Sequence, residues 1–161
     1  MHDISRDEIL GLLRPAIDAH TLGLSSVSQL LEDCNLRTIM ADASICDAVG
    51  TPSRPGDIIV IEQWIRQNSI TRLGFSYRLD PTDGASIFGR LLYQMRDRYL
   101  LSDQGGPIRS IYFAGLPQAC DLVQVDHRKN VVVFYGDETP SETLDKLGVP
   151  QSYRPNDIVE Q

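Results

Sequence analysis

One histidine has neighbours that could prepare it as a metal ligand. Asp18, His20 and Gly23 form the pattern Asp-x-His-x-x-Gly within the segment PAIDAHTLG. A histidine binds a metal through one ring nitrogen, and a carboxylate on its other N–H fixes the tautomer and the ring orientation. Asp18 could supply that carboxylate, and Gly23 could admit a tight turn or a bulky group. One histidine is too few for a zinc site built from protein ligands alone, but it suffices for a metal held by a macrocycle.

Taken alone, these residues have simpler interpretations. His20 could be a solvated side chain, and Asp18 could form an Asx-turn or cap a helix. The elements that surround the pattern are needed to choose between these interpretations.

Short apolar runs alternate with amphipathic stretches along the chain. The pattern predicts strands at residues 8–13, 37–41, 72–77, 110–113 and 131–135. Helices are predicted at 24–34, from a cap at Asp57, at 85–100, at 118–125, and from a cap near Thr139 or Ser141 to 147. Loops are predicted at 15–23 and 43–56, with a turn at 79–84. Such alternation predicts an α/β fold with a five-stranded parallel sheet and helices on both faces, of the flavodoxin-like or Rossmann-like kind.

Size and composition set further limits. The 161 residues are 42% hydrophobic and 23% charged, which fits one compact domain. We expect residues 1–148 to form this domain and residues 149–161 to form an extended arm or linker. The net charge of −7 argues against nucleic-acid binding and against an anionic membrane surface. With no apolar run of about 20 residues and no signal peptide, the chain is expected in the cytoplasm.

Parallel sheets of this kind bind ligands beyond the carboxyl ends of their strands. Asp18 and His20 follow the first predicted strand, and Ser76 lies at the end of the third. The segments AGLP and GDET follow the fourth and fifth strands. We therefore expect these four regions to meet at one edge of the sheet.

Together these features resemble the cobalamin-binding domains of adenosylcobalamin-dependent mutases, methionine synthase and corrinoid methyl carriers. Asp-x-His-x-x-Gly after the first strand is that family's signature, and its third strand ends in a serine, as in Gly74-Phe75-Ser76. The family's fourth strand usually ends in two glycines, where this chain has Ala114-Gly115. Residues 136–149, GDETPSETLDKLGV, resemble the closing segment of the small cobalamin-binding subunit of glutamate mutase.

The resemblance implies a role for each of these residues. His20 would replace the cofactor's own benzimidazole as the lower cobalt ligand, and Asp18 would hold His20. Gly23 would line a slot for the displaced nucleotide tail, and Ser76 would hydrogen-bond the benzimidazole. Four further positions would contact the cofactor or leave room beside it: Thr21, Leu22, Ala114 and Gly115. The implied cofactor is cobalamin, with adenosylcobalamin favoured over methylcobalamin.

This chain departs from the family pattern at two positions. The family often has Ser-x-Leu on the third strand, whereas this chain has Ser76-Tyr77-Arg78. Ala114 stands in place of the first glycine, and its methyl group could narrow the slot.

The resemblance favours a cofactor-holding module of an adenosylcobalamin-dependent mutase, an isomerase. Such a module holds cobalamin for a catalytic barrel subunit or domain that binds substrate, and it is inactive alone. A corrinoid methyl carrier or cobalamin sensor is the first alternative, although such domains usually follow a helical bundle. A cobalamin-like fold that has lost its cofactor and serves as an interaction module is the second. A flavodoxin-like electron carrier is less favoured, because the first loop lacks a Ser/Thr/Gly-rich phosphate cradle.

Overall fold

A five-stranded parallel sheet forms the centre of the protein. The computed structural model describes residues 3–127 and 131–156. The strands are β1 (Ile9–Leu13), β2 (Arg37–Met40), β3 (Arg72–Tyr77), β4 (Ser110–Gly115) and β5 (Val131–Phe134). Their order across the sheet is β2-β1-β3-β4-β5, and all neighbours are parallel. The predicted α/β class and parallel sheet are thus confirmed.

In the part of the chain that the structure describes, six α-helices cover the two faces of the sheet. They are α1 (Leu22–Asp33), α2 (Ala43–Gly50), α3 (Pro55–Gln67), α4 (Pro81–Asp97), α5 (Pro117–His127) and α6 (Pro140–Leu147). The larger hydrophobic core holds the buried residues of α2, α3, α4 and α5. The second core, on the other face, holds those of α1 and α6.

The strand order explains this division of the helices. A connection between parallel strands is nearly always right-handed. The step from β1 to β2 runs in one direction across the sheet, and the later steps to β3, β4 and β5 run in the other. Helix α1 therefore lies on one face, and α2 to α5 lie on the opposite face. The direction changes between β1 and β3, which is where sheets of this order usually bind ligands.

Two helical regions differ from the sequence prediction. Residues 43–56 were expected to form a loop, but they contain α2 and the start of α3. The Asp42 carboxylate caps α2 by accepting a 3.1 Å hydrogen bond from the Ile45 N–H. Arg54 rather than Asp57 is the N-cap residue of α3. Likewise α4 begins at Pro81 within the predicted turn, because the Asp80 carboxylate caps it by accepting from the Asp83 N–H at 3.0 Å.

The last helix follows the prediction closely. The Thr139 hydroxyl accepts from the Glu142 N–H at 3.1 Å, and the Glu142 carboxylate accepts from the Thr139 N–H at 2.9 Å. This reciprocal capping box begins α6, and Gly148 ends it with a φ of 81°. Beyond it Val149 is buried, and the Arg6 guanidinium lies 3.9 Å from the centre of the Tyr153 ring.

A buried ion pair ties three strands together at the amino-terminal edge of the sheet. The Arg72 Nε donates to Glu8 Oε1 at 3.1 Å, and both side chains are almost fully buried. Arg72 also donates to the Tyr112 hydroxyl at 2.9 Å, which in turn donates to the Leu147 carbonyl at 2.9 Å. Burial acts to raise the pKa of Glu8, but the Ser5 N–H and the Arg72 guanidinium hold that pKa below its ordinary value.

Replacing Glu8 by Gln should therefore destabilise the fold. It leaves a buried guanidinium without its carboxylate, which costs about 3 kcal/mol. Because the folded pKa is lowered, this stabilisation is present above the ordinary glutamate pKa and disappears as pH falls through the lowered value. Urea unfolding at neutral and acidic pH measures both effects, with Glu32→Gln on the exposed face of α1 as the control. Equal unfolding free energies for Glu8→Gln and wild type at neutral pH would contradict the assignment.

Candidate cofactor-binding site

The buried carboxylate of Asp18 organises the loop that follows β1. Its Oδ1 accepts from the His20 backbone N–H at 2.9 Å and lies 2.6 Å from His20 Nδ1. Its Oδ2 accepts from the Arg78 backbone N–H at 2.6 Å. The Arg14 guanidinium donates to the Asp18 carbonyl. Asp18 thus forms an Asx-turn, holds the His20 ring and ties the β1 loop to the end of β3.

This environment keeps Asp18 ionised. Burial acts to raise the pKa of its carboxyl group, but the His20 and Arg78 backbone N–H groups and the His20 ring outweigh burial and lower that pKa. A carboxylate bound to Nδ1 places the ring proton on that nitrogen. We therefore assign the neutral His20 ring as the Nδ1–H tautomer, with the Nε2 lone pair available to a ligand. The His20 side chain is 63% exposed, so this nitrogen is accessible.

Two large apolar side chains close to His20 in the sequence are exposed. Ile17 is 74% exposed and Leu22 is 80% exposed. Thr21 is the N-cap residue of α1, but its side chain makes no capping hydrogen bond. The predicted site residues Thr21 and Leu22 therefore lie beside His20 at the carboxyl-terminal edge of the sheet.

A cavity of about 220 Å³ lies between α1 and α6 on the sheet face that these two helices cover. We call it the α1–α6 slot. Residues of four strands, both helices and the loops that follow β3 and β5 line it: Leu10, Leu12, Gly23, Leu24, Ser26, Val27, Gly74, Phe75, Ser76, Arg78, Tyr112, Ala114, Phe134, Gly136, Glu138, Thr143 and Leu147. Its volume is below the 300 Å³ or so typical of pockets for drug-sized ligands, so it suits one flat heterocycle rather than a whole large cofactor.

The slot contains three of the predicted cofactor-binding residues. Gly23 lines it from the first turn of α1, and a Cβ added there would have no heavy atom within 4 Å. Ser76 lines it from β3 and is 5% exposed. Within residues 3–127 and 131–156 the Ser76 hydroxyl has no hydrogen-bond partner. Ala114 on β4 is paired with Ser76 on β3. Because Ala114 also lines the slot, the methyl group of Ala114 narrows it.

Gly115, which was expected to leave room beside the cofactor, is not among the residues that line the slot. Side chains alternate between the two faces along a strand, and Ala114 occupies the slot face. A Cβ on Gly115 would lie 2.8 Å from the Phe113 ring and 3.0 Å from the Tyr77 carbonyl, on the other face. The glycine therefore leaves space for the Phe113 ring of the same strand and for the Tyr77 carbonyl of β3.

Sequence reasoning missed the part that Glu138 plays at the slot. The sequence placed Glu138 in the segment GDET after the fifth strand but gave it no role, and it lies just before α6, which begins at Pro140. Its carboxylate lines the slot, accepts from the Tyr135 and Gly136 N–H groups at 2.9 and 3.0 Å, and pairs with Lys146 at 2.7 Å. Burial acts to raise the pKa of Glu138, but Lys146 and these N–H groups lower it. The position directly after β5 was the one signal in the sequence for this role.

A second cavity, of about 380 Å³, lies on the other side of the β1 loop. Ala16, Ile17, Tyr77 and Asp83 are among the residues that line it. The His20 loop thus lies between the two cavities.

The site offers one ring nitrogen to a metal. Among the described residues, no group of three His, Cys, Asp or Glu side chains could hold a metal ion. A metal bound at His20 would therefore bring most of its ligands with it. In the same part of the chain, no helix combines the length and apolar character needed to cross a bilayer.

Comparison with known proteins finds no family model that matches the chain and no curated protein with significant sequence similarity. The fold is a parallel α/β sheet of the flavodoxin-like or Rossmann-like class.

Removing the Asp18 carboxylate should loosen the edge of the sheet. In Asp18→Ala the His20 and Arg78 N–H groups lose their acceptor, which should cost about 2 kcal/mol of stability. Amide hydrogen exchange at His20 and Arg78 should accelerate, while exposed Asp126→Ala should change neither rate. In wild type the protection should be complete above the ordinary aspartate pKa and should fall as pH drops through the lowered value. Unchanged exchange at Arg78 in Asp18→Ala would contradict this role.

Proposed function

We propose that this chain is a cobalamin-binding module that holds the corrinoid through His20. The observation that carries the proposal is the Asp18–His20 pair, which leaves an accessible ring nitrogen at the ligand-binding edge of the sheet. A metal brought by a macrocycle needs one such nitrogen from the protein.

The α1–α6 slot supports the same proposal independently. Cobalamin bound with a histidine as lower ligand must place its displaced benzimidazole elsewhere, and a flat apolar ring needs a deep, narrow pocket. The slot offers leucine and aromatic walls, open space at Gly23 and the unpartnered hydroxyl of Ser76. Ser76 can donate a hydrogen bond to a ring nitrogen of the benzimidazole.

Each residue has a distinct role in this proposal. Asp18 keeps the proton of His20 on Nδ1 and directs Nε2 away from the protein. Leu10, Leu12 and Tyr112 exclude water from the slot. Bound cobalamin would supply a cobalt–carbon bond that starts radical rearrangement or transfers a methyl group. The exposed face of the cofactor would remain free for a partner.

We further propose that the partner is a catalytic barrel subunit or domain that binds substrate, and that the system is an adenosylcobalamin-dependent mutase. The methyl-carrier or sensor alternative uses the same site, and a preference for methylcobalamin over adenosylcobalamin would favour the methyl carrier over the mutase. Chemistry in either case requires the partner, so the isolated chain should show no mutase turnover.

Cobalamin retention tests the central proposal. The purified chain is mixed with hydroxocobalamin or adenosylcobalamin, free cofactor is removed, and the visible spectrum is recorded. Wild type should retain corrinoid with a spectrum that changes in His20→Ala, because the cobalt loses its nitrogen ligand. His127→Gln, which removes a histidine from α5, should leave the spectrum unchanged. Identical spectra and affinities for wild type and His20→Ala would contradict the assignment, and no retention by wild type would favour a cofactor-free interaction module.

Filling the slot tests the proposal that it receives the displaced benzimidazole tail. Gly23 and Gly56 are each the second residue of a helix, and a Cβ at either position meets no heavy atom within 4 Å. Substituting Leu for either glycine should stabilise the helix by up to about 1 kcal/mol, since Gly is a poor helix former. Gly23→Leu should nevertheless abolish cobalamin retention, whereas Gly56→Leu should preserve it. Thermal unfolding and equilibrium dialysis measure the two effects, and full retention in Gly23→Leu would show that the slot does not receive the tail.

A further inference from the structure

Arg78 brings a positive charge to the upper end of the α1–α6 slot, which is the end closest to the carboxyl ends of the strands. It follows the last residue of β3, and its backbone N–H is held by Asp18. Its Nη1 donates to the Gly115 carbonyl at 3.4 Å, and a Cβ on Gly136 would lie 2.9 Å from that nitrogen. The guanidinium therefore extends across the ends of β4 and β5, at the slot.

No acidic side chain of the described residues neutralises this guanidinium. Arg78 forms no ion pair within residues 3–127 and 131–156. Glu138 also lines the slot, but its oxygens bind Lys146 and the Tyr135 and Gly136 N–H groups. The Asp18 carboxylate is bound to His20 and to the Arg78 backbone. In a chain of net charge −7, this arginine lies beside a cavity without an acidic partner, so its remaining N–H groups are available to an anionic ligand.

A second polar group lies in the same slot. Ser76 is 95% buried, and its hydroxyl has no hydrogen-bond partner among the described residues. The slot thus presents apolar walls from Leu10, Leu12 and Tyr112, a free hydroxyl, and a guanidinium at its upper end. A heterocycle joined through a sugar to a phosphate has the same order of chemical groups.

We propose that Arg78 binds the phosphate of a nucleotide whose heterocycle occupies the α1–α6 slot, so that the slot selects nucleotides over nucleosides. The inference rests on the proposed function for the identity of the nucleotide, since the benzimidazole tail of cobalamin is joined to a ribose and a phosphodiester. It assigns a role to the arginine that replaces the leucine usual in the resembling family.

Two fragments of the tail test the proposal without the corrin ring. The probes are α-ribazole, the benzimidazole nucleoside, and α-ribazole phosphate, and their dissociation constants are measured by calorimetry up to millimolar concentration. Wild type should bind the phosphorylated fragment roughly tenfold more tightly, the effect of one charge-assisted contact. Arg78→Gln should abolish that preference by weakening the phosphorylated fragment, and Arg78→Lys should retain part of it.

Control variants distinguish a specific contact between Arg78 and the phosphate from a general effect of the protein's positive charges. Arg37→Gln, at the opposite edge of the sheet, should keep the full preference for the phosphorylated fragment. Ser76→Ala should weaken both fragments by a similar factor, and circular dichroism verifies that each variant is folded. The proposal is overturned if wild type binds both fragments equally, if Arg78→Gln keeps the preference, or if neither fragment binds.

The outcome is distinguishable from that of the cobalamin proposal. If Arg78 sets the fragment preference but the cobalt spectrum does not depend on His20, the slot binds a nucleotide and the metal assignment fails. If the spectrum depends on His20 but the fragments show no Arg78 effect, cobalamin binding stands and the phosphate contact is wrong.

Discussion

The hydrogen bonds of the Asp18 carboxylate are the interactions on which the carboxyl-terminal edge of the sheet depends. The carboxylate is fully buried, and hydrogen bonds from three N–H groups compensate for the loss of its solvation. Two of those groups belong to His20 and one to Arg78, so a single side chain fixes the first loop relative to the end of β3. The direction of the His20 ring and the position of Arg78 are therefore set together.

The slot has its origin in the topology of the sheet. Right-handed connections place four helices on one face and leave α1 and α6 to cover the other. Two helices do not fill the space above five strands, and a cavity remains between them over β1, β3, β4 and β5. The same change of direction places the His20 loop beside this cavity. The candidate ligand nitrogen and the candidate pocket for a ring thus share one structural cause.

Periodicity predicted the regular parts of the fold well. Strand β3 spans the predicted residues 72–77, and the capping residues that begin and end α6 were recognised. Helix α2 was missed because it has only eight residues and is followed by Pro52 and Pro55, although Asp42 before it is a typical cap. Strand order was not readable from the sequence, because it depends on contacts between distant segments.

The site was predictable where it depends on local spacing. Asp18 and His20 are only two residues apart in the sequence, and their side chains are in contact in the structure. The face of Gly115 was not predictable, because a one-residue shift along a strand reverses the face, and register places Ala114 rather than Gly115 on the slot side, opposite Ser76. The link from Asp18 to the Arg78 backbone spans 60 residues, so only the folded chain reveals it.

Electron paramagnetic resonance of the cobalt(II) form of bound cobalamin tests the coordination of His20 most directly. A nitrogen ligand splits each cobalt line according to its nuclear spin, so exchanging ¹⁴N for ¹⁵N in the protein's histidines changes a triplet into a doublet. The account predicts this change in wild type and its loss in His20→Ala. A splitting unaffected by ¹⁵N-histidine would mean that the cofactor keeps its own benzimidazole on the metal, which contradicts the assignment of His20 as the lower ligand.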